Sequence, residues 1–460
     1  MRNDVAVVPK MKNKEPVKMC KSFIFILLFF PSTLLAQAPG RKMWMGAYVS
    51  EHQGACVIDS LSNTGSAREL GLQSGDTLTH INQQKLQGLV SYHTILSEIR
   101  ANDSIQVSYK RQSKIIHQAA KARAKDLYKP NWCALNYEWI RTGECWLRTM
   151  IYTPIKAHPS QPAILFIPGY NCNSIENFPN NYNGRLIRHW VEQGFLVMTV
   201  EKSGNGDSDH CTPCMQSDLS RDIFIYERAY EALSKRPGIN PHQLFIWGHS
   251  MGGIIAPMIQ AELAPRGIMV YGTVFRPWSE FLLEMHRVQK SLLENKSFQE
   301  TEDFLRVIQK IYFAFFVDKK TPEELSRIPA FKTWVQTELE YEPGKTDMWG
   351  RHWRFWQQLD SIDLAKAWHQ VRGDVLVMHG GSDYIQCSAL EPYLITQTVN
   401  ADQTNQATYQ FIPDMDHLLL RSKDFQEAIT HFNQKAFLSQ EIHPELLRIT
   451  SSWMKERCKK

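Results

Sequence analysis

The chain has 460 residues, 43% hydrophobic and 22% charged, with a formal charge of +5. That is an ordinary globular balance for two or three domains. With no Lys/Arg block in the body of the protein, it argues against nucleic acid as a partner.

In chain order, the first forty residues stand apart. Lys12, Lys14, Lys18 and Lys21 precede FIFILLFFPSTLLA, and small residues follow in AQAPG. This is a basic region, an apolar region and a cleavage-type site. The apolar run is broken by Pro31 and falls short of the ~20 residues that span a bilayer. A cleavable signal peptide is expected over residues 1–36, cut after Ala36 because a cut after Ala38 would leave Pro39 first. A retained anchor is the alternative, and it would be the only membrane contact. The mature chain is therefore expected to be secreted or periplasmic. Of nine cysteines one, Cys20, lies in this segment. The others would meet an oxidising compartment in which disulfides persist.

Residues 43–118 contain GSARELGLQSGDTLTHINQQKLQG, a short helical stretch, then Gly71 and Gly75-Asp76, then the alternating strand Thr77 to Asn82. Gly71 and Gly75 suit tight turns between short elements. This segment resembles a PDZ domain of the kind attached to bacterial periplasmic proteases. The resemblance implies a peptide, often a C-terminus, added as a strand beside a carboxylate-binding loop, here Trp44 to Ala47. A docking or spacer module that holds no peptide is the alternative. Residues 119–134 read as a linker. A hairpin follows, and a Thr142-Gly143 turn would set Arg141 opposite Glu144, Cys145 opposite Ile140 and Cys133 near Tyr152. That register disfavours a Cys133–Cys145 disulfide.

From residue 135 apolar strands alternate with helices: AILFIPG, GRLIRHWVEQG, FLVMTVEK, then DLSRDIFIYERAYEALSKRPG. In the last of these Leu219, Ile223, Tyr226, Tyr230 and Leu233 share one face. QLFIWG, GIMVYG, DVLVMHG and TYQFIP are further strands. Strands apolar throughout and separated by helices predict a parallel sheet covered on both faces. The alternation breaks over residues 276–371, a helical, aromatic-rich stretch without strand signal. It reads as a cap inserted between core segments 135–275 and 372–460. Within it Arg351, His352 and Trp353 are candidate substrate contacts, with a solvated helix face as the alternative for the polar pair. The Cys211-Thr-Pro-Cys214 pair reads as a structural disulfide partner rather than a redox motif, since no thioredoxin-like pattern surrounds it.

LFIWGHSMGGIIAP carries the chemistry. A serine is a poor nucleophile unless it is held beside a base and left accessible. Gly248-His249-Ser250-Met251-Gly252 matches G-x-S-x-G between a strand and a helix expected over MGGIIAPMIQAEL. Small neighbours there let a strained serine stand clear. Its partners are expected in the order acid, then histidine. Asp383 follows DVLVMHG, and His417 follows TYQFIP, both at the strand ends where ligands collect in open α/β sheets. Asp414 and Asp416 compete as the acid, but they share the histidine's own loop. Asp383 is better set to reach its far nitrogen. The oxyanion donors are expected to be the N–H groups of Met251 and Tyr170.

These residues make the chain resemble an α/β-hydrolase of the branch with GHSMGG elbows, which includes monoacylglycerol lipases, esterases and serine aminopeptidase-like enzymes. GNGDSD (Gly204 to Asp209) and HGGSD match further, while Pro168-Gly169 stands where many members have His-Gly. The fold expected is a mostly parallel sheet with helices on both faces and a helical cap, after a small PDZ-like β-rich domain. Gly204-Asn205-Gly206 reads as a turn beside the site and not as a nucleotide loop, and no metal or cofactor is expected. Cys172 is expected to pair with Cys211 or Cys214. The function expected is hydrolysis of a carboxylic ester through an acyl-enzyme on Ser250. Two alternatives stay open: a serine peptidase or aminopeptidase acting on a short peptide tethered by the PDZ-like domain, and an inert peptide-binding adaptor.

Overall fold

The computed structural model describes residues 38–259, 264–402 and 406–459, so the expected signal segment lies outside the described residues. Residues Pro39–Lys460 form one compact unit. It begins with an antiparallel sheet of Ala47–His52 (β1), Ala55–Leu61 (β2), Thr77–Ile81 (β3), Gln84–Lys85 (β4), Ser104–Arg111 (β5) and Lys114–Lys121 (β6). The order is β1-β2-β3-β5-β6, with β4 beside β3, and helices Ser66–Glu69 (α1) and Leu89–Glu98 (α2). Its apolar core, including Met45, Ile58, Leu78, Ile81 and Tyr109, is drawn from this segment alone. Asp76 explains the Gly75-Asp76 punctuation. Buried to 1% exposure, it accepts the Gln73 N–H at 2.7 Å and both Arg111 nitrogens at 2.8 Å. A bidentate guanidinium thus ties the start of β3 to the end of β5. Strand β6 runs through the first residues assigned to the linker, and the next strand starts at Cys133, so the true connection is shorter.

The second sheet contains Cys133–Thr142 (β7), Cys145–Pro154 (β8), Gln161–Ile167 (β9), Leu196–Val200 (β10), Ile239–His249 (β11), Gly267–Tyr271 (β12), Asp374–Gly380 (β15) and Ala407–Ile412 (β16). The two strands between, Asp347–Met348 (β13) and Arg351–His352 (β14), form a separate small hairpin in the cap. The main order is β16-β15-β12-β11-β9-β10-β8-β7, parallel from β16 to β10 and antiparallel at β8 and β7. Strand residues alternate between faces. Ala163, Leu165 and Ile167 of β9 join one apolar cluster, and Ile164 and Phe166 join the other. Helix Tyr182–Glu192 (α3) covers the second face with Leu186, Ile187 and Trp190, and Leu219–Ser234 (α4) covers the first with Leu219, Tyr226 and Tyr230. Both faces are therefore dry, which is why the strands read as unbroken apolar runs.

Three sequence expectations need correction. The β7–β8 turn is Gly143-Glu144, with Thr142 opposite Cys145 and Cys133 opposite Pro154, two residues from the expected register. Gly143 has φ +67°, a conformation that a β-branched threonine at the turn centre would resist, so Thr142 stays in the strand. The helix after the elbow, Met251–Ile255 (α5), is short and passes into a 3₁₀ turn at Ala256–Met258, because Pro257 removes a helical donor. The cap is not wholly helical. Helices Trp278–Glu294 (α6), Phe298–Tyr312 (α7), Pro322–Ser326 (α8), Lys332–Thr337 (α9), Trp353–Asp360 (α10) and Leu364–His369 (α11) flank the β13–β14 hairpin. Helices Leu390–Val399 (α12), Phe425–Asn433 (α13) and Pro444–Cys458 (α14) complete the core.

The GNGDSD loop joins the two sheets. Asp207 accepts the Arg41 Nε at 2.7 Å and the Lys42 N–H at 2.9 Å, and Asp209 accepts Arg100 at 2.6 Å. What reads as a turn beside the active site is also the dock for the N-terminal sheet.

Candidate active site

After β9 the chain moves to β10 on one side, then returns to β11 on the other. Loops leaving β9 and β11 therefore diverge and open a crevice at the sheet's C-terminal edge, where α/β sheets bind ligands. Ser250 stands there with φ +54°, and its N–H donates to the Tyr271 carbonyl at 2.9 Å. The small neighbours are required by contact. A Cβ on Gly252 would lie 2.1 Å from the Ile167 oxygen, and one on Gly253 2.5 Å from the Thr273 Cβ. The glycines let β9, the elbow and β12 close around a serine held in a sparsely populated conformation.

Asp383 and His417 meet as the sequence predicts. The His417 Nδ1 lies 2.9 and 3.0 Å from the two Asp383 oxygens. One of those oxygens also accepts the N–H groups of Ile385 and Gln386 at 3.1 and 2.9 Å. Burial pushes the Asp383 carboxyl up, but the His417 charge, its hydrogen bond and the Gln386 N–H outweigh it and hold the group below the ordinary range. Burial likewise pushes His417 down, and Asp383 outweighs it, leaving the imidazole above its ordinary value. The competing carboxylates are engaged elsewhere. Asp416 accepts from the N–H groups of Leu418 and Leu420 and from the Ser422 hydroxyl, and Asp414 faces Arg421 and His443.

Ser250 and His417 line one cavity of about 350 Å³ together with Tyr170, Met251 and Gly272. From the cap, Trp278, Phe281, Leu282, Met285, Tyr312, Trp349 and Trp356 supply an apolar wall, with Glu338 and Glu340 as its carboxylates. His286 also faces the cavity, 2.7 Å from the Tyr312 hydroxyl, and burial pushes it down to about 4. It is neutral at pH 7.

Arg351, His352 and Trp353 do not line this cavity, which corrects their expected role as substrate contacts. Arg351 is fully buried, paired through both terminal nitrogens to Asp222 at 3.0 Å and stacked on the Phe355 ring. Its Nη1 also donates to the Tyr170 carbonyl at 2.9 Å. His352 accepts the Arg354 N–H at the start of α10, and Trp353 faces a separate surface cleft. A sequence cannot tell a buried guanidinium from a presented one when its partner, Asp222, is 129 residues away.

Several supporting residues lack any sequence signal beyond their neighbourhood. His249 donates from Nε2 to the His417 carbonyl at 2.8 Å, and burial pushes its imidazole down to about 3, which keeps it neutral. The Tyr271 hydroxyl donates to the Asp416 carbonyl at 2.6 Å. On the opposite loop, Lys202 Nζ donates to the carbonyls of Gly169 and Asn171, and Asn205 Nδ2 to that of Cys172 at 2.8 Å. Two disulfides brace this side. Cys172 pairs with Cys214, one of its two expected partners, and Cys145 pairs with Cys211. The second was not anticipated; it follows from the bridge between Trp146 and Asp209, whose N–H and C=O groups pair at 2.9 and 2.8 Å beside the two cysteines.

Among family models, that of "Serine aminopeptidase, S33" matches residues 163–424, more than half of the chain. The chain belongs to this family. It is thus a hydrolase with the α/β-hydrolase fold. No curated protein matches it. Among solved structures this S33-family chain is similar to Est1E from Butyrivibrio proteoclasticus, at 12% identity and TM-score 0.42, over 70% of this chain and 99% of that one. Proline iminopeptidase from Mycobacterium smegmatis gives 14% and 0.41, over 70% and 98%. A soluble variant of monoglyceride lipase from Saccharomyces cerevisiae gives 16% and 0.43, over 72% and 97%.

Proposed function

We propose that this S33-family chain is an exported serine hydrolase that cleaves a carboxylic ester. The observation that carries the reading is the buried Asp383–His417 pair facing the same cavity as Ser250, a serine at positive φ on a strand-to-helix elbow. Ser250 Oγ attacks the acyl carbon while His417 Nε2 takes its proton. Asp383 accepts the Nδ1–H and stabilises the imidazolium. The intermediate's oxyanion lies against the N–H groups of Met251 and Tyr170. Collapse expels the alcohol with the proton from His417. Water then attacks the acyl-enzyme by the reverse sequence, releasing the acid and free Ser250. The aromatic wall of the cap favours an apolar acyl or alcohol group over a charged one. Export is supported by the basic and apolar leader sequence and by two disulfides.

One observation favours a second reading. Glu340 faces the cavity beside Glu338, which is paired with Lys290 at 3.4 Å, and a protonated substrate amine would find opposite charge at Glu340, so an aminopeptidase acting on short peptides is the alternative. In that reading the N-terminal sheet, taken as PDZ-like, tethers the substrate by a C-terminus laid along β1, an edge strand beside α2. The test uses protein from Gln37 onward, with Ser250→Ala as control, on p-nitrophenyl esters of increasing acyl length and on aminoacyl and prolyl anilides. Ser250-dependent ester turnover with silent anilides supports the esterase. Anilide turnover whose KM rises in Glu340→Gln supports the aminopeptidase. Silence on both, with no labelling of Ser250 by a fluorophosphonate, removes both.

A further inference from the structure

The loop after β9 carries an unusual burden. Four successive carbonyls, from Gly169 to Cys172, are all held by side chains: Lys202 takes the first and third, Arg351 the second and Asn205 the fourth. Lys202 is 3% exposed, and among the described residues no carboxylate pairs with its ammonium. Burial pushes it down to about 7, Asp222 acting to raise it and Arg351 to lower it. A buried lysine whose contacts are two carbonyl oxygens costs stability, and a polar or apolar residue would fill the space more cheaply. The site therefore calls for a reason beyond packing.

Peptide geometry supplies one. A trans peptide points its C=O and its N–H in opposite directions, and no cis peptide occurs among the described residues. The unit joining Gly169 to Tyr170 directs its oxygen at Lys202, so its Tyr170 N–H points away from Lys202. Gly169 lies on the serine side: a Cβ there would sit 3.6 Å from the Ser250 Cβ and 3.8 Å from its Oγ. We infer that Lys202 is the positioning residue of the oxyanion site, gripping the Gly169 carbonyl so that the Tyr170 N–H is aimed at, and polarised towards, the oxygen that becomes anionic. A cation on the carbonyl end of an amide strengthens the donor at its other end. When protonated, Lys202 also favours a negative intermediate over a neutral substrate, which is the differential that accelerates a reaction. Arg351, neutralised by Asp222, holds the next carbonyl and keeps the loop from rotating.

This inference rests on the proposed serine hydrolysis. Lys202→Met and Lys202→Arg are compared with wild type on a short-chain p-nitrophenyl ester, each rate divided by the concentration of Ser250 that a fluorophosphonate labels at completion. That division stops partial misfolding from imitating the effect. Lys202→Met is expected to lose about 10- to 100-fold in kcat with KM within about twofold, at most the lower limit of the ~10²–10³ that a lost oxyanion donor costs, since the donor itself remains. Its affinity for a trifluoromethyl ketone, which forms the tetrahedral adduct, should fall by the same factor. Lys202→Arg, which keeps charge and donors, should recover most of both. If Lys202→Met does not fold, Lys202→Gln takes its place with the same expectation. An unchanged kcat per labelled serine, even with a lowered melting temperature, overturns the inference and leaves the hydrolase reading standing. A wild-type protein silent towards ester, anilide and probe overturns both.

Discussion

The loop around His417, the proposed base, and the loop around Tyr170, the proposed oxyanion donor, line the same cavity as Ser250, and both are held from behind by their carbonyls. The holders differ in charge. Behind His417 they are neutral, the Tyr271 hydroxyl on the Asp416 carbonyl and the neutral His249 imidazole on that of His417. Behind Tyr170 they are basic, Lys202 and Arg351. In the proposed mechanism a cation behind His417 would oppose the imidazolium that forms there, whereas a cation behind the Tyr170 loop favours the oxyanion that develops. The same mechanical device is thus built from opposite electrostatics, according to the sign of the charge each loop faces.

The strongest way to break this picture is Ser250→Ala, expected to remove on the order of 10⁴–10⁶ in kcat, measured by ester turnover. Asp383→Asn tests the base side and should cost about 10³–10⁴ in kcat. It also carries a pH signature. His417 works as a base when neutral, and Asp383 lifts it above the ordinary imidazole value of 6.5, so kcat/KM should rise as pH rises through a point above 6.5. Without that carboxylate burial is opposed only by the Asp416 charge, and the acid limb of the profile should move to lower pH. Gly272→Ala sharpens the comparison by crowding the His417–Asp383 pair and leaving the Tyr170 loop untouched. Gly272 has φ +63°, and its added Cβ would lie 2.8 Å from the His417 Cε1. A displacement of that kind should cost about 10²-fold in kcat with Asp383 and Ser250 intact. Cys214→Ser acts on the opposite loop and should be felt mainly as stability. Opening a link across 42 residues costs roughly 3–4 kcal/mol by chain entropy, read as a lowered denaturation midpoint. Because Lys202, Arg351 and Asn205 still hold the loop, kcat at labelled serines should fall less than tenfold.

Legibility divided along the same line. The base side could be read because its parts lie at strand ends with local signatures: GHSMGG after β11, GSD after β15 and the histidine after β16. Even there Asp414 and Asp416 competed with Asp383, and their hydrogen bonds to Arg421, His443 and nearby backbone resolve the matter. The oxyanion side could be read only as far as Tyr170 and one disulfide. Arg351 looked like a presented cation in WGRHWRFW and is a buried one, because its partners sit on α4 and on the β9 loop. Lys202 closes the run FLVMTVEK, where nothing singles it out, and lies buried under the loop after the neighbouring strand. The cap aromatics were legible as a group, but periodicity cannot say which of them face a cavity and which form a core.

The sequence by itself determined the alternation of dry strands and amphipathic helices, the elbow serine, the order of its partners and a β-rich N-terminal segment. These follow from local rules: side-chain periodicity, the conformational needs of glycine and serine in a tight turn, and motif context. Tertiary structure alone decided the hairpin register and the Cys145–Cys211 link. It also decided the docking of the N-terminal sheet on Asp207 and Asp209, and the burial of Lys202 and Arg351 behind the oxyanion loop. Each of these depends on what a charged or sulfur-bearing side chain meets in space. In a sheet whose strand order departs from chain order, that partner arrives from another element.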